Sequence, residues 1–178
     1  MKLVFVCTAN VFRSVIAEGL CRRLLQEQEL GGDITVGSAG IGDTCGNRRP
    51  AVILREFLAG LGIDVAGHRS KRLTEETIIS ADLIIAMTRR QERKILASFP
   101  SAEGKTRLLR SFDPLSDHPD VKDPWEPVSE KMRKAYDAIY PAVLRLIEAI
   151  TPGEKKIRES ETAALQCSSV MSDKLHRP

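Results

Sequence analysis

Lys2-Leu3-Val4-Phe5-Val6 is almost continuously apolar, the pattern of a strand buried on both faces of a parallel sheet. From Ser14 to Gln28 the apolar positions fall at helical spacing, through Ala17, Leu20, Leu24 and Leu25, and Gly31-Gly32 supplies a stop. A second short strand is expected over Ile34 to Gly37. A helix is expected over Pro50 to Leu61, with Pro50 in its first turn and Gly62 just past its end. Thr74 reads as an N-cap, with Glu75 and Glu76 in the turn that follows. Residues 82–87 read as a third strand, Thr88 to Ala97 as a helix, and 106–109 as a fourth strand. Residues 111–127 carry four prolines and several aspartates, so a long loop is expected there. Met132, Ala135, Ile139, Val143, Leu146 and Ile150 then mark one face of a final helix over 128–150.

Strands alternating with helices predict a single α/β domain over residues 1–150. Its core is a central four-stranded parallel sheet with helices on both faces and right-handed crossovers. Residues 151–178 lose the periodicity and turn polar after Pro152-Gly153; a flexible C-terminal tail is expected, with Cys167 a bystander in it.

The first strand ends at a thiol. Cys7-Thr8-Ala9-Asn10-Val11-Phe12-Arg13-Ser14 joins that strand to the first helix, with an arginine six positions after the cysteine. A loop in this place turns backbone N–H groups toward one point, and the helix dipole adds positive potential there. A phosphate dianion suits that point, and so does a thiolate. Cys7 therefore reads as a nucleophile and Arg13 as a bidentate clamp on phosphate oxygens. In doubly wound sheets the site lies at the carboxyl ends of strands, which is where Cys7 falls. An acid to protonate a leaving group must come from elsewhere, and two Asp-Pro pairs compete, Asp113-Pro114 and Asp123-Pro124.

At these residues the chain resembles the low-molecular-weight protein tyrosine phosphatases. Their loop runs Cys-x-Gly-Asn-x-Cys-Arg-Ser-Pro-x-Ala-Glu, and Cys7, Asn10, Arg13, Ser14, Ala17 and Glu18 match it. Ser38-Ala39-Gly40, His68, the segment 81–88 and Asp123-Pro124 continue the likeness in the family's order. The resemblance implies a cysteine-dependent phosphatase that acts on protein phosphotyrosine through a phosphocysteine intermediate. It implies Cys7, Arg13 and Asp123 as catalytic residues, since the family's acid sits in an Asp-Pro-aromatic motif just before the last helix. Thr8, Ala9, Asn10, Val11, Phe12 and Ser14 would bind the phosphate, and Trp125 would line the cleft. Ser38 and His68 would support Asn10 in a left-handed backbone conformation, which asparagine tolerates better than most residues.

Three loop positions depart from the family: Ala9 stands for glycine, Phe12 for the second cysteine and Val15 for proline. A positive φ at position 9 would strain alanine by about 1 kcal/mol. Leu73-Thr74-Glu75-Glu76 and the segment 81–88 resemble the protein-arginine phosphatase branch. That branch carries threonine after the loop asparagine, where this chain has Val11. A branched apolar side chain suits an aromatic ring better than a guanidinium phosphate, so phosphotyrosine is expected and phosphoarginine is the alternative. A weakly catalytic phosphate-binding module is a third reading, disfavoured because binding alone needs neither nucleophile nor acid.

Composition narrows the rest. The 178 residues suit one domain, and the net charge of +3 comes from basic residues scattered along the chain, so no nucleic-acid footprint is expected. No apolar run nears the length of a membrane span and no signal peptide is apparent. Four cysteines, Cys7, Cys21, Cys45 and Cys167, match no zinc spacing. No metal or cofactor, a phosphorylated protein or peptide as partner, and a reducing cytoplasm are expected; the oligomeric state stays open.

Overall fold

The structure, a computed structural model, describes residues 1–152 apart from Gly31, Thr44 and residues 123–127. Four strands make one sheet in the order β2-β1-β3-β4: β1 (Lys2–Cys7), β2 (Thr35–Gly40), β3 (Leu83–Ala86) and β4 (Thr106–Leu108). Every pairing is parallel. β1 is central, with Leu3 opposite Val36 on one side and Leu83 on the other. Its side chains alternate between two cores. Leu3, Phe5 and Cys7 point into the larger one, with α1 (Arg13–Glu27), α2 (Val52–Gly60) and α5 (Val128–Ile150). Val4 and Val6 point into the smaller one, with α3 (Glu75–Ser80) and α4 (Arg89–Ser98). The expected α/β domain, with its four-stranded parallel sheet and helices on both faces, is the one observed.

Several boundaries differ from the sequence reading, each for a local reason. β2 runs on to Gly40 rather than stopping at Gly37. α2 begins one residue past its N-cap Ala51, so Pro50 precedes the helix instead of sitting in its first turn. It ends as expected: Gly62 (φ +73) donates to Ala59 O, and Ile63 to Leu58 O, closing a Schellman turn. α1 closes in the same way without glycine. Glu29 (φ 60) donates to Gln26 O and Leu30 to Leu25 O, two residues before the Gly31-Gly32 stop that the sequence suggests. Thr74 and Thr88 both cap their helices, accepting from Thr77 N and Gln91 N.

Pro141 lies inside α5, where it removes one backbone bond at a cost of about 3 kcal/mol. The helix continues because Ile139 on one side, and Val143, Leu146 and Ile147 on the other, are fully buried. Burial of each contributes roughly 1.5–3 kcal/mol, which outweighs the break.

Candidate active site

The segment 8–12 wraps the sulfur of Cys7 at the carboxyl end of β1. Its carbonyls are bonded outward. Cys7 O accepts from Ile41 N (3.0 Å), Thr8 O from Gly42 N (2.8 Å) and the Cys45 thiol (3.0 Å), and Asn10 O from His68 Nε2 (3.0 Å). A trans peptide sets each N–H opposite the preceding carbonyl. The amides of Thr8, Ala9 and Val11 therefore face away from these supports. Phe12 O is taken by Val15 N and Ile16 N as α1 begins. Unlike α3 and α4, α1 has no side-chain cap and no acid in its first turn. Nothing in its own sequence neutralises its positive end, which favours an anion there.

Close approach of the 41–45 loop explains two glycines. A Cβ on either Gly40 or Gly42 would lie 2.9 Å from Thr8 O, and one on Gly40 would meet Cys45 Sγ at 2.0 Å.

Cys7 is 3% exposed; its sulfur accepts from Asn10 N (3.3 Å) and lies 3.0 Å from Ser14 Oγ. The direction of that last bond follows from the network behind it. Ser38 donates its hydroxyl to Glu18 Oε2, so its oxygen is free to accept from Asn10 Nδ2 (2.7 Å). The second Nδ2 hydrogen goes to Ser14 Oγ (3.0 Å), while Asn10 Oδ1 accepts from Lys71 N (2.9 Å). Ser14 Oγ thus accepts a hydrogen bond from Asn10 Nδ2 and donates its own hydrogen to the sulfur. Ser14 and Asn10 N both direct hydrogen-bond donors at the sulfur.

Asn10 is fully buried with φ 53, the left-handed region. Ala9 is not among the residues of positive φ, so alanine there carries no such strain. Phe12 packs partly against the larger core, and Val15 is buried in it. Arg13 is 4% exposed and donates from Nη1 to Val121 O (2.9 Å). Val11 borders the same loop. Asp123 and Trp125 lie outside the described residues. Asp113 does not reach the sulfur's network; its Oδ1 accepts from Leu115 N (3.1 Å), an Asx turn.

Two contributors carried no role in the sequence reading. Glu18 matches the loop pattern, yet only the fold shows its carboxylate gathering Ser38, Arg22 Nη2 (2.7 Å) and His68 Nδ1 (3.8 Å). Gln91 is buried at the start of α4 and its Nε2 donates to Thr8 Oγ1 (3.0 Å). No sequence signal separates Gln91 from any polar first-turn residue. Among the described residues, no group of three acids, cysteines or histidines is placed to hold a metal ion.

A buried thiol at the carboxyl edge of a parallel sheet, taking donors from Asn10 N and Ser14 Oγ in the loop that leads into an uncapped helix, defines a class of α/β domain suited to bind an anion. Comparison with known proteins narrows the class. The profile of the low molecular weight phosphotyrosine protein phosphatases matches residues 2–157, and the chain belongs to that family. It is 36% identical over 131 residues to the low molecular weight protein-tyrosine phosphatase A of Mycobacterium tuberculosis, covering 70% of this chain and 76% of that one. It is 34% identical over 149 residues to the protein-arginine-phosphatase of Geobacillus stearothermophilus, covering 84% and 95%. The crystal structure of the low molecular weight protein tyrosine phosphatase from T. tengcongensis superposes with a TM-score of 0.73 at 31% identity, covering 84% of this chain and 99% of that one. The protein is therefore an enzyme, a hydrolase of the protein-tyrosine-phosphatase kind.

Proposed function

We infer that the enzyme hydrolyses protein phosphotyrosine through a phosphocysteine on Cys7. The observation that carries this reading is the Ser14 hydroxyl, committed by Asn10 and Ser38 to donate to the Cys7 sulfur. The substrate's phosphate would sit among the amides of residues 8–13, with Arg13 holding two equatorial oxygens. The thiolate attacks phosphorus in line, the bond from phosphorus to the tyrosine oxygen breaks, and Asp123 protonates the departing phenolate. Asp123 then takes a proton from water as that water attacks the phosphocysteine, and inorganic phosphate leaves. Ser14 donates to the sulfur as it departs. The assignment of Asp123 rests on its Asp-Pro-Trp setting just before α5.

Val11 supports the aromatic substrate, since its methyls can pack on a ring. The 34% identity to a protein-arginine-phosphatase favours phosphoarginine as the second reading. Cys7, Cys21 and Cys45 are free thiols, which suits a reducing compartment such as the cytoplasm.

Purified enzyme given matched phosphotyrosine and phosphoarginine peptides is expected to turn over the first faster. Acid quench with intact mass should find one phosphate on the wild type and none on Cys7→Ser. Faster release from phosphoarginine would move the assignment to that substrate. Turnover by Cys7→Ser near the wild-type rate would end the phosphocysteine mechanism.

A further inference from the structure

The sheet gathers at the mouth of the site basic residues that are scattered along the sequence. Three segments border the sulfur's loop. Residues 41–49 lie against Cys7 O and Thr8 O through Ile41 and Gly42. Residues 70–72 lie against Asn10, through Lys71 N on Asn10 Oδ1. Residues 88–91 lie against Thr8 through Gln91. Together they hold Arg48, Arg49, Lys71, Arg72, Arg89 and Arg90 against Asp43, and Asp120 joins them through its Oδ1 on Arg89 N, a net +4. The whole chain is only +3, so the remainder of the molecule is net acidic. All six side chains are exposed. Among the described residues only Arg72 of the six has an ion-pair partner, Asp43 Oδ1 at 2.5 Å.

Like charges set this close repel one another and weaken the fold, so the arrangement contributes nothing to stability. It does raise the local concentration of anions at the pocket and steer them inward. The three segments contain no aromatic residue on which nucleic-acid bases could stack. We propose that this rim recognises acidic residues flanking the phosphorylated side chain, making acidic phosphopeptide segments the preferred substrate class. The proposal rests on the phosphatase reading above and adds to it the sequence around the phosphate.

The test compares phosphotyrosine peptides that differ only in having Glu, Ala or Lys on both sides of the phosphotyrosine. At low salt, kcat/KM should favour Glu over Ala flanks on the order of tenfold, mostly through KM, with Lys flanks worst and the spread collapsing at high salt. Reversing charge in pairs, Arg89→Glu with Arg90→Glu, or separately Arg48→Glu with Arg49→Glu, should shrink the preference while kcat for a small aryl phosphate holds. Two independent pairs keep the test alive if one fails to fold. Equal kcat/KM for all three peptides would overturn the proposal. So would inhibition by a single-stranded oligonucleotide as strong as by the Glu-flanked peptide, which would mark a nucleic-acid surface. Fluorescence anisotropy of the same peptides with Cys7→Ser protein reads the rim without turnover. An enzyme that binds by flank charge but hydrolyses no aryl phosphate would sink the functional reading and leave the rim standing.

Discussion

Arg13 Nη1 donates to the carbonyl of Val121 at 2.9 Å, across 108 positions of sequence. Val121 N in turn donates to Met87 O (2.8 Å), and Asp120 Oδ1 accepts from Arg89 N (2.8 Å). The segment leading into Asp123-Pro124 is thus anchored to the end of β3, the start of α4 and the Arg13 guanidinium.

Arg13→Lys removes the planar fork and with it the geometry that serves Val121 and, in the proposed mechanism, two phosphate oxygens. A fall in kcat on the order of 10²–10³ is expected, the scale of losing one preorganised donor. Steady-state turnover of an aryl phosphate reads it directly. A rate within a few-fold of wild type would show that charge alone suffices.

Asp123→Asn should slow poor leaving groups most, because a general acid contributes typically 10²–10⁴-fold and that contribution shrinks for leaving groups that need no proton. Asp113→Asn should change the rate little, since its carboxylate is spent on Leu115 N. A series of aryl phosphates of graded leaving-group acidity separates the two. A steeper leaving-group dependence in the Asp113 variant would transfer the role.

Asn10 combines a backbone demand with a side-chain one. Asn10→Ala should lose about 2–4 kcal/mol of stability, from the left-handed conformation and the hydrogen bonds to Ser14, Ser38 and Lys71 together. Asn10→Gly keeps the conformation and loses only the bonds, so it should unfold about 1–2 kcal/mol later than the alanine variant. Urea titration of both gives the difference. Equal midpoints would mean that φ 53 costs nothing here.

Glu29 ends α1 in a conformation that favours glycine. Glu29→Gly should stabilise the protein by about 0.5–1 kcal/mol, raising the urea midpoint at unchanged slope. A lowered midpoint would show that the glutamate side chain contributes more than its backbone costs.

Burial pushes the Cys21 thiol from its ordinary 9.0 up to about 12. The folded form keeps this proton where the unfolded chain sheds it. Stability from this group is therefore complete below pH 9 and falls as pH rises from 9 toward 12. Cys21→Ala should flatten that alkaline decline, at the cost of a small cavity at neutral pH. Unfolding midpoints at neutral and alkaline pH, compared with wild type, check the sign. An unchanged alkaline slope would mean that other groups dominate.

The apolar runs at 2–6 and 82–87 made the sheet legible, because strands buried on both faces leave no polar alternation to confuse with a helix. Thr74 announced its helix through a hydroxyl that caps, whereas Thr88, read as the first helical residue, is the N-cap of α4. The end of α1 at Gln28 was legible to within a residue, but its stop signal was not: the turn closes on Glu29 rather than on Gly31-Gly32. In the site, Cys7, Asn10, Arg13 and Ser14 were readable as neighbours in one loop. Glu18 was in view without a role, since its partners Ser38 and His68 arrive from elsewhere in the chain. Gln91 and the basic rim were invisible for the same reason: charge that looks scattered in one dimension is brought together only where strands end side by side.

β1 sits inside the sheet yet precedes both strands it pairs with, and this bears on the order of assembly. Its partners come far later in sequence, first at Thr35 and then at Leu83, and the acceptor for Arg13 later still at Val121. Contacts so distant along the chain are slow to form. Cys7 is therefore made before the segments that β1 pairs with and before the carbonyl that Arg13 binds. A growing or half-folded chain carries the cysteine without the apparatus that would let it act.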